Sequence, residues 1–276
     1  MQTIYKKKIK ILQSFDIEDF IVLCYILIDM DYDFFSQLNN LGIKRNDTIL
    51  VHSSMKALKT TLSPKEFLTV LIDYLNEGTL ILPTITYTLM YQDAPVFIAN
   101  ETPACIGLLP NEFLKIDGVK RSIHPTHSCA GIGVNADYLL GTHYLDRTPI
   151  GENSPFRKLA KINGKILMIG GVNEHNTLMH GVEEVGGAPY YMKKEPKEFT
   201  VIDSNGKEEK QLHFIHDFSI VKEVYYPRVE SLLDETEISR GKIGSADCTL
   251  MSANAVLTKG VEKVKQNGWY FADKKD

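Results

Sequence analysis

Residues 49–83 constrain the fold more than any other stretch of the chain. Two short apolar runs, Ile49-Leu50-Val51 and Thr79-Leu80-Ile81-Leu82, flank a segment with helical signals at both ends. Ser63 is a good N-cap, Pro64 fits the first helical position and Glu66 completes a capping box. Phe67, Val70, Leu71, Tyr74 and Leu75 then fall at i, i+3, i+4, i+7 and i+8, which is one apolar face of a helix. Gly78 stands where a left-handed residue would stop it, and Pro83 closes the second run. Strand, helix and strand with short connections make a βαβ unit, so the two strands should be parallel neighbours.

The rest of the chain reads in the same terms. Residues 34–45 suggest a helix ending at Gly42, and Lys165 to Gly170 a third buried strand entered through Asn163-Gly164. A short helix is expected around Thr177–Val185, an antiparallel hairpin within 198–226 around Asp203-Ser204-Asn205-Gly206, and an amphipathic helix over Ser252–Asn267. The expected fold class is α/β, a single domain with a central mixed β-sheet and helices on both faces. Residues 1–35 read as an N-terminal helical segment apart from the main body, 36–276.

Charge and cysteine usage narrow the partners. A formal net charge of −4 argues against nucleic acid and suits a cationic small molecule. Cys24, Cys105, Cys129 and Cys248 are scattered without a CxxC pair, which suggests reduced thiols in a cytoplasmic protein. The apolar stretch Phe20–Ile28 follows a basic start, but acidic residues separate the two and it is far short of the ~20 residues a bilayer demands. No membrane association is expected.

Chemistry is expected just beyond the strand ends, where open α/β sheets bind ligands. His52-Ser53-Ser54 ends the first strand, Thr84-Ile85-Thr86-Tyr87 follows the second, and Asn173 to His180 follows the third. Each group alone reads more readily as turn and cap residues; three together are harder to dismiss. His124 and His127 lie three apart across Pro125, yet the proline excludes a regular helix and no nearby cysteine or second His-x-x-His completes a ligand set. No metal is therefore expected. His180 has Glu183 and Glu184 at i+3 and i+4, and with Glu174 these are the local carboxylates that could hold its tautomer.

From His52-Ser53-Ser54-Met55-Lys56-Ala57-Leu58 onward the chain resembles the aminoglycoside 3-N-acetyltransferase family. The resemblance continues through Gly78-Thr79-Leu80-Ile81-Leu82-Pro83-Thr84-Ile85-Thr86-Tyr87, Arg121 to Ser128 and Thr148 to Phe156. It closes with Gly164 to Gly170, Asn176-Thr177-Leu178-Met179-His180-Gly181-Val182-Glu183-Glu184 and Gly241 to Cys248. It runs from about residue 35 to the C-terminus and is distinct from the GNAT acetyltransferase fold. The resemblance implies acetyl-CoA as donor, no metal, and transfer to the 3-amino group of a 2-deoxystreptamine aminoglycoside. It places the catalytic base at His180, with the acidic partner six residues earlier at Glu174, where the family usually has Asp. It suggests coenzyme contacts at His52, Ser53, Ser54, Thr84, His124, Thr126 and Ser154; for the ammonium groups of a cationic acceptor the expected positions are Tyr87, Glu183, Glu184 and Asp247. A homodimer is compatible with it. The rival readings are the same chemistry on another amine, a metal-dependent hydrolase using His124, His127 and His180, and a CoA-binding protein without turnover.

Overall fold

Twelve strands occur among residues 33–275, which the computed structural model describes. In chain order they are β1 (Thr48–Ser53), β2 (Thr79–Pro83), β3 (Val96–Ile98), β4 (Lys120–Arg121), β5 (Cys129–Gly133) and β6 (Lys165–Ile169). They continue with β7 (Lys197–Ile202), β8 (Glu208–His213), β9 (Val221–Val224), β10 (Ile238–Ile243), β11 (Ala246–Ser252) and β12 (Ala272–Lys274). Seven build the central sheet in the order β10-β11-β6-β1-β2-β5-β4. β1 pairs in parallel with both β2 and β6, and the remaining pairings are antiparallel. The sheet is mixed, as expected. The N-terminal segment read from the sequence falls largely on residues 1–32, outside the described residues; residues 33–40 are helical.

Strand alternation divides the core in two. Ile49, Val51, Leu80, Leu82, Leu167 and Ile169 face one way, against Phe67, Leu68, Val70 and Leu71 of the capped helix Pro64–Tyr74. Leu50, Ile81, Ile166 and Met168 face the other way, with Phe156, Leu159, Leu178, Val182 and Val256. Each fully buried side chain of this kind contributes roughly 1.5–3 kcal/mol over exposure. Helices therefore cover both faces.

The capping box forms as read, with Ser63 Oγ accepting from Glu66 N and Glu66 Oε2 accepting from Ser63 N at 2.8 Å. Gly78 has a different role from the one expected. Its backbone is not left-handed; the glycine is needed because a Cβ there would stand 2.2 Å from the Asp47 carbonyl oxygen, where β2 enters beside β1. The hairpin β7–β8 surrounds Asp203–Gly206 as expected, but Val221–Val224 leaves it to pair with β12.

Two helices on the second face position the functional site. Leu178–Gly186 packs against the C-terminal helix Ala253–Gln266, and Gly186 permits the approach: a Cβ there would lie 2.5 Å from Val264 Cβ. Gly186→Ala is expected to lower unfolding stability by about 1–3 kcal/mol through overpacking. A shifted urea midpoint at unchanged m value would show it, and an unchanged midpoint would mean the helices separate freely.

Candidate active site

The parallel strands β6, β1 and β2 end at one edge of the sheet, and the main cleft opens there, with a volume of about 880 Å³. His52 and Ser53 from the end of β1, Pro83 from the end of β2 with Ile85 just beyond it, and Val172, Glu174 and His175 after β6 line it. Phe218, Glu223 and Tyr226 close the other side. Asn176 sets the start of the helix that carries His180. Its side-chain Oδ1 accepts from Leu178 N at 3.2 Å, and Thr177 turns into the first helical residue. His180 thus sits one turn inside the helix, with its ring on the cleft wall.

His180 Nδ1 lies 3.2 Å from Glu183 Oε2 and 3.1 Å from the Tyr226 hydroxyl. Glu183 is fully buried and also accepts from the Tyr190 hydroxyl at 2.9 Å and the Tyr226 hydroxyl at 3.1 Å. Burial, then the neighbouring Glu183, pushes both phenols above the ordinary tyrosine range, so they keep their donor protons. Three donors around one carboxylate oxygen pair offset the cost of removing it from water. An imidazole whose Nδ1–H points at such a carboxylate presents Nε2 as a lone pair.

Glu174 therefore takes a different place from the one expected: it lines the cleft, while the acid bonded to His180 is Glu183 three residues on. Glu183, with no exposed surface, cannot meet an ammonium group. Glu184 accepts from Thr148 Oγ1 at 2.6 Å, Ile150 N and the Tyr191 hydroxyl, and so braces a loop. Asp247 is exposed, pairs with Lys242 at 2.7 Å across the β10–β11 hairpin and is not part of the cleft lining. Of the four amine-binding positions, Tyr87 alone lines the cleft.

Of the coenzyme positions, His52 and Ser53 line the cleft. Ser54 instead caps the short helix Met55–Leu58, and Ser154 caps Pro155–Lys161. Thr84 is buried, its hydroxyl bonded to Ser128 and Arg121, where the guanidinium also holds the Ala99 and Thr102 carbonyls. His124 is buried with Nε2 at 3.0 Å from the Thr148 carbonyl and Nδ1 accepting from His127 N at 3.0 Å, which assigns its proton to Nε2. Thr126 hydrogen-bonds His127 Nδ1 at 2.9 Å. These residues shape the loops behind the cleft.

The sequence reading missed two neighbours of His180. Tyr226 lies 46 residues downstream. The ring of His216 sits 4.2 Å from that of His180, and its Nε2 is 3.2 Å from His127 Nε2. A signal existed: His213-Phe214-Ile215-His216 is a second His-x-x-His, and it folds against the first. His213 packs on His124 and His216 on His127. His52, His124, His127, His143, His213 and His216 are all held well below the ordinary histidine range, chiefly by burial.

Comparison with known proteins places this architecture. The aminoglycoside 3-N-acetyltransferase family model matches residues 50–265. The SPbeta prophage-derived aminoglycoside N(3')-acetyltransferase-like protein YokD of Bacillus subtilis (strain 168) is 26% identical over 258 residues, covering 85% of this chain and 89% of that protein. Aminoglycoside N(3)-acetyltransferase VII of Streptomyces paromomycinus is 30% identical over 171 residues, 55% of this chain; the match spans 59% of that enzyme's length. The solved structure of AAC-IIIb binary with CoASH superposes with a TM-score of 0.74 at 24% identity, covering 89% of this chain and 98% of that one. At that identity the likeness establishes the fold. Among the described residues no helix is long and apolar enough to cross a membrane.

Proposed function

The chain belongs to the aminoglycoside 3-N-acetyltransferase family, and on that premise we propose that it moves the acetyl group of acetyl-CoA to an amine of an aminoglycoside, with His180 as general base. The observation that carries the reading is the His180–Glu183 hydrogen bond at the cleft wall, beyond the ends of three parallel strands. The donor assignment draws on the relative whose structure holds CoASH, and the acceptor on the names of the relatives.

An amine is protonated at neutral pH and must lose a proton before it can attack a thioester. His180 Nε2 takes that proton, while Glu183 accepts the Nδ1–H and stabilises the imidazolium that forms. The nitrogen lone pair attacks the acetyl carbonyl, the tetrahedral intermediate collapses, and the C–S bond breaks. The attacking nitrogen sheds its second proton to solvent as the amide forms, and the departing CoA thiolate takes the proton held by His180, so one amide, one thiol and one released proton result. Ser54 N is committed to the Ile169 carbonyl and Ser54 does not line the cleft, whereas Ser53 does and offers a hydroxyl at the end of β1 to steady the oxyanion. One such donor is often worth about 3 kcal/mol. Glu174 and Glu223 are the cleft carboxylates available to the remaining ammonium groups.

Thiol release from acetyl-CoA, followed with kanamycin- and gentamicin-type acceptors and a panel of simpler amines, tests this. Release that requires an amine and stops when it is consumed is the expected result. Release independent of any amine, or none with any of them, would overturn the proposal.

A further inference from the structure

We propose that His127, His180 and His216 form a binding site for a divalent transition metal, and that zinc occupying it switches acetyl transfer off by taking the nitrogen that receives the amine's proton. The first half stands on geometry alone; the second rests on the proposed role of His180.

The three imidazoles come from separate parts of the fold: the loop before β5, the helix Leu178–Gly186 and the segment after β8. One ring nitrogen of each lies within 4.8 Å of the other two. Nitrogens on a tetrahedral zinc, with bonds of about 2.0–2.1 Å, stand roughly 3.3 Å apart. His127 Nε2 and His216 Nε2, at 3.2 Å, already have that spacing. The widest separation must close by up to about 1.5 Å, within reach of side-chain rotation.

The outer contacts decide which nitrogen of each ring is available. Thr126 engages Nδ1 of His127, and Glu183 engages Nδ1 of His180, so Nε2 is the nitrogen each ring keeps for the shared site, that of His127 already facing His216 Nε2. A carboxylate on the far nitrogen of a histidine ligand orients the ring and strengthens it as a donor. His127 and His180 both line the cleft, which leaves a fourth position for water or an amine. Three imidazoles without a carboxylate oxygen favour zinc, cobalt, nickel or copper over magnesium or calcium. A ligand bond through His180 Nε2 and a proton on the same atom exclude one another, so the metal acts as an inhibitor.

The full chain, stripped with a chelator, is titrated with Co²⁺. Expected are one equivalent bound, visible bands of a tetrahedral complex, and their displacement by Zn²⁺. His216→Ala and, independently, His127→Gln should each weaken binding at least about tenfold and remove the bands, with thermal melting confirming that the variants are folded. In thiol-release assays Zn²⁺ should lower the wild-type rate and chelator restore it. Absence of tetrahedral Co²⁺ bands, or affinity unchanged in both variants, overturns the site. Full activity at saturating Zn²⁺, or activity that chelation abolishes and zinc restores, overturns the inhibitory role. The Co²⁺ titration is read without turnover, so it decides the site even for a chain that acetylates no amine tested.

Discussion

His180→Ala is expected to lower kcat for acetyl transfer by about 10²- to 10⁴-fold, the range a positioned general base supplies, while CoA affinity stays within about twofold. On the proposed mechanism the ring handles only the proton of the reacting nitrogen, so its loss leaves the contacts that hold the coenzyme in place. The variant should fold. The side chain is 19% exposed, and Glu183 keeps the Tyr190 and Tyr226 hydroxyls as donors when the imidazole is gone. Steady-state thiol release gives kcat, and calorimetric titration of CoA gives the affinity. A variant that turns over at the wild-type rate would remove His180 from the mechanism; one that loses both turnover and CoA binding would make it a coenzyme contact.

Acidification should destabilise this protein more steeply than carboxylate titration alone would. Burial, followed by His175 and His180, lowers His52 to about 3; burial, followed by Arg147 and His143, lowers His213 to about 3. In the unfolded chain each takes up a proton near pH 6.5, whereas in the folded chain each stays neutral. The stability they contribute is complete above pH 6.5 and is lost as the pH falls toward 3, because the unfolded state binds the extra protons. Between pH 6 and 5 these two alone cost about 2–3 kcal/mol, at about 1.4 kcal/mol per proton and pH unit. His124, His127, His143 and His216 act in the same direction. Asp146, raised by burial, opposes them, but it is one group against six. Urea midpoints at pH 7.5, 6 and 5 should decline steeply; a flat profile would mean these rings are charged or solvated in the folded chain.

What could be read in advance follows from where the physics is local. β1, β2 and β6 are continuous apolar runs buried on both faces, and the capped helix satisfies its own first turn, so four residues suffice to mark its start. β5, with the sequence Cys-Ala-Gly-Ile-Gly, has too little apolar weight to announce itself. Edge strand β10 is half-exposed and polar because only one side of it needs a partner. The site divides the same way. His180 could be singled out by its motif, but three glutamates lay within reach, and only the helix phase decides that Glu183 shares its face while Glu174 falls on the preceding 3₁₀ turn. Tyr226 and His216 arrive through tertiary paths that no local pattern encodes, although the pair of His-x-x-His motifs was visible.

Catalysis by His180 turns on one hydrogen bond, between its Nδ1 and Glu183. The most direct test is kcat for thiol release by Glu183→Gln beside Glu174→Gln under saturating acetyl-CoA and acceptor. The geometry predicts that Glu183→Gln loses about 10²-fold or more, because an amide no longer fixes the tautomer or balances the imidazolium, and that Glu174→Gln retains most of kcat and changes mainly KM. Wild-type turnover in Glu183→Gln with collapse in Glu174→Gln would contradict it.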